Sequence, residues 1–112
     1  MIVYLLVANS LLEAGTGLGM IFAPSKLTTS NDAVVASVAR SLGVALITVS
    51  VMSAMMVVYG GILPGLIALT VFHIGFAISQ AMSFATKLAP LPVVVIHAVL
   101  AVLFAIALVH RL

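Results

Sequence analysis

Long apolar runs alternate with short polar breaks along this chain, and each break carries residues that stop or start helices. The first run, IVYLLVANSLLEAGTGLGMIFA, extends from Ile2 to Ala23 and ends at Pro24, since the residue before a proline is pushed out of the α region. PSKLTTSND, Pro24 to Asp32, is the most polar stretch of the chain. It reads as a loop, in which Ser30, Asn31 and Asp32 are each suited to cap a following helix. The second run, Ala33 to Tyr59, is broken by Gly60 and Gly61. The third starts near Ile62, with Pro64 tolerated in its first turn, and ends near Ala85. Thr86 to Leu91 forms a short loop with Lys87 and Pro90, and the fourth run extends from about Pro92 to Val109.

Each run is apolar all round, without the alternation of a barrel strand. Each also reaches the roughly 20 residues that a helix needs to cross a bilayer. The pattern predicts an all-α integral membrane protein with four transmembrane helices, about 2–23, 33–59, 62–85 and 92–109. Short connections make sequential helices antiparallel neighbours, so residues 1–112 are expected to form one domain, an up-down four-helix bundle. The second run is longer than a bilayer requires, which calls for tilt or an emerging end.

Composition sharpens this reading. The chain is 65% hydrophobic and 5% charged, against the roughly one quarter of charged residues that a soluble domain carries. The net charge of +2 comes from four basic and two acidic residues, so no basic patch exists for nucleic acid. Cysteine is absent, which excludes disulfides, thiolate metal sites and thiol nucleophiles. No basic stretch precedes the first run, which therefore reads as a retained helix rather than a cleaved signal. Tyr4 and Tyr59 fall at one membrane boundary, where amphipathic rings prefer to sit, and Lys26 and Lys87 at the other. Two lysines against Arg111 place the lysine side in the cytoplasm and both termini outside.

Each run carries one strongly polar residue: Glu13, Arg40, His73 and His97. Counted from the lysine side, their depths are roughly 16, 12, 18 and 10 Å, close enough for the four to converge in the bundle interior. The helical faces agree. Asn9, Glu13, Thr16, Gly17 and Met20 share one face, and Ala36, Ser37, Arg40 and Gly43 another. Thr70, His73, Ala77 and Gln80 share a third, and His97, Ala101 and Phe104 a fourth. Glu13 and Arg40 are expected to meet as a buried ion pair, the alternative being that Arg40 snorkels to the lysine side without a specific partner. Taken singly, each histidine suits a hydrogen-bonded contact between helices. Gly15 and Gly19 form a GxxxG pair on the opposite face from Glu13, fit for close helix packing within the chain or against a second copy.

One carboxylate, two imidazoles and a guanidinium suit two chemistries. The first is a binding site for the head of a lipid-soluble molecule, quinone- or isoprenoid-like, formed by Glu13, Arg40, His73 and His97 with Asn9 and Gln80. Such a protein would be a redox accessory or a component of a membrane enzyme. The second is proton-coupled transport through Glu13, acting as a dimer. A structural subunit of a larger membrane complex is the third reading. The histidines and Glu13 could also hold a divalent metal, but a cationic Arg40 beside them opposes it, so no metal site is assigned. A haem between the two histidines would crowd a narrow bundle. The bilayer is one partner, and so thin a chain is expected to form a homo-oligomer or join a membrane complex.

Four helices in about this length, with a glutamate in LLEAGTGLGM, resemble the small multidrug resistance transporters in architecture. Those proteins carry a tryptophan in helix 3, where this chain reads LIALTVFHIGFAISQ and has no tryptophan at all. The stretches LLEAGTGLGMIFAPSKL, VARSLGVALITVS and HAVLAVLFAIAL resemble the small four-helix bacterial membrane proteins grouped as DoxX-like. That resemblance implies a four-helix domain in a bacterial inner membrane, associated with redox partners or quinone chemistry, and carries over no catalytic residue.

Four crossings fix which breaks share a side. Single cysteines at Ile2→Cys, Thr28→Cys, Gly61→Cys, Lys87→Cys and Leu112→Cys, probed with an impermeant thiol reagent in oriented vesicles, are expected to label alternately. Labelling of positions 28 and 61 from the same side would contradict four crossings.

Overall fold

The computed structural model describes residues 2–28, 30–85 and 91–111. The fold is all-α, with no strand among the described residues. Five helices follow in order: α1 Ile2–Phe22, α2 Pro24–Thr28, α3 Ala33–Tyr59, α4 Ile62–Ala85 and α5 Leu91–Val109. Four of them, all but α2, are long and apolar enough to cross a membrane, and the protein is a multi-pass membrane protein. Their outward residues agree, since Leu11, Val38, Val71 and Val102 are all more than half exposed, surface that lipid tolerates and water would not. The lysine-bearing break between α4 and α5, with Lys87 and Pro90, lies outside the described residues.

The boundaries follow from local chemistry. Pro24 ends α1 and also opens α2, where its missing N–H is no loss. The stretch expected to be wholly loop therefore holds one short helix, tied by the Thr28 hydroxyl donating to the Pro24 carbonyl at 2.9 Å. Among the three candidate caps, Asp32 takes the position. Its carboxylate accepts from the backbone N–H of Val34 at 2.7 Å and of Val35 at 3.1 Å. At the far end of α3 the chain turns through Gly60 and Gly61, both with positive φ (82° and 74°), a backbone that glycine adopts without strain.

The chain divides into two compact units, Met1–Gly60 and Gly61–Leu112. In the first, α1 and α3 form an antiparallel hairpin with α2 packed on both. Its register is set by three paired levels. Asn9 Nδ2 donates to Ser53 Oγ at 3.0 Å. One turn of contact further, Ser10 Oγ donates to the Ser50 carbonyl at 3.1 Å, and Ser50 Oγ donates to the Ser10 carbonyl at 2.8 Å. Deeper still, the backbones of Gly17 and Gly43 meet. A Cβ on either glycine would stand 2.7 Å from the other's carbonyl oxygen. Tyr4 and Tyr59 lie together at one end of this hairpin, both strongly exposed. In the second unit α4 and α5 form another antiparallel hairpin, with Leu66, Leu69, Leu100 and Phe104 buried along it.

The close approach within the chain thus falls at Gly17 and Gly43, not at the GxxxG pair. Gly19 faces the Leu27 side chain of α2, and a Cβ on Gly15 would meet nothing within 4 Å. Gly17→Ala and Gly43→Ala are each expected to destabilise the protein by about 1–3 kcal/mol, the range for forcing a methyl group into a filled contact. Gly15→Ala, where the added Cβ meets nothing, should leave stability unchanged or raise it by up to about 1 kcal/mol. Reversible unfolding in mixed detergent micelles measures all three, and equal effects at positions 15 and 17 would contradict this register.

Candidate functional site

The polar residues singled out by the sequence divide between the two hairpins. In the first, Asn9 and Glu13 both point inward from α1, at 0% and 1% exposure. Asn9 has a structural partner in Ser53, so it belongs to the register of the hairpin. Glu13 sits at the middle of α1, the level at which a bilayer makes a carboxylate most costly.

Arg40 departs from expectation. It is exposed, and its Nε donates a long hydrogen bond of 3.4 Å to the carbonyl of Ile21, in the last turn of α1. A cation there also complements the negative end of the helix dipole. The face of α3 that turns inward carries Ala39, Gly43, Leu46 and Ser50, one position round from the face expected to hold Arg40. Glu13 and Arg40 therefore do not form the expected ion pair. The register that brings Arg40 to Ile21 leaves it eight residues of α1 past Glu13, roughly 12 Å along the axis. An exposed guanidinium is also no part of a buried cluster, which removes the charge that opposed a metal.

The second hairpin brings two candidates together. His73 of α4 and His97 of α5 are both buried, and their Nδ1 atoms lie 3.2 Å apart. Two imidazole nitrogens at this distance share one hydrogen. One ring donates its Nδ1–H, and the other accepts at Nδ1 and carries its own hydrogen on Nε2. Three phenyl rings enclose the pair. Phe104 lies parallel to His73, with centroids 5.2 Å apart and planes 6° apart. Phe76 approaches His97 at 4.2 Å, and Phe72 meets His73 edge-on at 5.1 Å. Ring contacts of this kind are worth about 0.5–1.5 kcal/mol beyond their burial, and they fix both imidazole planes. The rings face each other too closely for a haem iron. Nitrogens on opposite sides of a metal at ~2.0–2.1 Å would stand about 4 Å apart.

Gln80 is half-buried, two turns along α4 from His73. Phe72 and Phe76 are the members that sequence reasoning did not place beside the histidines, and Phe104, placed on the face of His97, was given no role there. A signal for them existed: Phe76 lies three residues from His73 and Phe104 seven from His97, spacings that return to the same helical face.

Comparisons of the chain with protein-family models, with curated proteins and with solved structures give no match. The functional reading therefore rests on these side chains.

The register yields a test of the missing ion pair. Losses of stability from Glu13→Gln and Arg40→Gln are expected to add within about 0.3–0.5 kcal/mol in the double variant, as they do for sites without contact. A double-variant cycle showing 1 kcal/mol or more of coupling would restore the pair and contradict the register.

Proposed function

We propose that this protein holds a small amphipathic, lipid-soluble molecule with an oxygen-bearing ring head, quinone- or isoprenoid-like, within the membrane. The observation that carries the reading is the buried His73–His97 pair enclosed by Phe72, Phe76 and Phe104. Imidazole N–H groups donate to ketone or hydroxyl oxygens. Phenyl faces stack on a flat head, and the apolar tail of such a molecule stays in lipid. Held this way the molecule serves a redox-accessory protein or one component of a membrane enzyme. The resemblance to DoxX-like proteins supports this reading and a bacterial inner membrane as its location. The open face at Gly15 supports association with a second copy or a larger complex.

A second reading, proton-coupled transport, is favoured by one observation. Glu13 is a buried carboxylate at mid-membrane depth, and ionisable groups there commonly mark proton pathways.

Mass spectrometry of solvent extracts from the purified protein separates these readings. The proposal expects one enriched ring-headed lipid in the wild type. In His73→Phe and His97→Phe its amount should fall about 10- to 100-fold, the equivalent of one or two lost hydrogen bonds. No enriched molecule, together with ligand-triggered proton release that vanishes in Glu13→Gln, would favour transport. Neither signal would leave a structural subunit.

A further inference from the structure

We infer that His73 and His97 form a binding site for a tetrahedral divalent metal ion of the zinc class, with both Nδ1 atoms as ligands. Three observations lead there. The two Nδ1 atoms converge at 3.2 Å from different helices. At the ~2.0–2.1 Å of a metal–imidazole bond, adjacent ligands of a tetrahedral ion stand roughly 3.3 Å apart. Square-planar neighbours would stand about 2.9 Å apart and opposed ligands about 4 Å, so the observed 3.2 Å lies nearest the tetrahedral spacing and is too short for opposed ligands. Second, the rings are held in place before any ion arrives. Phe104 lies flat against His73 and Phe76 abuts His97, so little ordering remains to oppose binding. Third, Arg40 is exposed at the end of α1, so its charge does not enter a buried site.

Binding requires one rearrangement and no other reactant. The ring that carries Nδ1–H moves its proton to Nε2, and both Nδ1 lone pairs then face the ion. Two nitrogens fill half of a tetrahedral shell. Oxygen donors fill the rest, either water or the oxygens of the ring-headed molecule proposed above. The inference rests on that reading only for the latter donors.

The test uses the full-length protein in detergent after lipid extraction, with Zn²⁺ and its spectroscopic substitute Co²⁺ as probes and no added ligand. Wild type is expected to bind one Zn²⁺ per chain. Co²⁺ should give the visible absorption of a tetrahedral ion, and X-ray absorption should show two imidazole nitrogens at ~2.0–2.1 Å. His73→Gln and His97→Gln should each weaken binding at least 100-fold. His110→Gln, at the exposed histidine of the tail, should bind as wild type does. Zn²⁺ binding that survives both inner substitutions, or a wild-type metal shell without two imidazoles, overturns the inference. The X-ray measurement needs no variant, so misfolding of either substitution does not blunt it. The lipid extract is analysed separately. A metal without an enriched lipid would overturn the ligand reading and leave the metal site standing, and the converse result would do the reverse.

Discussion

Helices in lipid gain nothing from leaving an apolar solvent, so a hairpin in a membrane is held by close packing and by hydrogen bonds across it. In the first hairpin the contact that permits the rest is the meeting of Gly17 and Gly43. With no Cβ on either side, the backbones of α1 and α3 come close enough for short side chains to reach across. The serines exploit this: Ser10 and Ser50 each donate to the other's carbonyl, and Asn9 reaches Ser53. Together these levels fix the register. The register in turn carries Arg40 to the last turn of α1 and separates it from Glu13. A single steric permission thus decides which polar groups meet.

The second hairpin uses a different adhesive. Two buried imidazoles are costly unless each finds a partner, and here each finds the other. The phenyl rings of Phe72, Phe76 and Phe104 then flank the pair and set its planes. A structural contact would be satisfied by any donor and acceptor. This arrangement instead presents two nitrogen atoms on one point, and either ring can be the donor, provided the other keeps its own hydrogen on Nε2. That feature supports reading the pair as a site and not only as a brace.

Much of the architecture was legible because it depends on length and caps alone. Four runs of membrane length, the Gly60–Gly61 break and a cap among Ser30, Asn31 and Asp32 required no knowledge of packing. The inward faces of α1 and α5 were legible too, because Asn9, Glu13 and Gly17, and His97, Ala101 and Phe104, recur at helical spacing. What failed needed a second helix. GxxxG at Gly15 and Gly19 is a motif within one helix, whereas the close approach pairs a glycine of α1 with one of α3. Arg40 was misplaced because α3 is apolar all round, and periodicity then barely separates the Ala39 face from its neighbour. The short α2 was missed because Pro24 was read only as a stop. The convergence of His73 and His97 was legible from depth and helical face, but their meeting Nδ1 to Nδ1 depends on how two helices rotate about their axes, which spacing does not encode.

The central claim is that His73 and His97 share one hydrogen between their Nδ1 atoms. Nitrogen-15 NMR of the histidine-labelled protein in bilayers tests it most directly. The account predicts that one of the two rings has a protonated Nδ1 and the other a bare one, with a through-bond correlation linking the two nitrogens. Two identical tautomers with no correlation between them would contradict it.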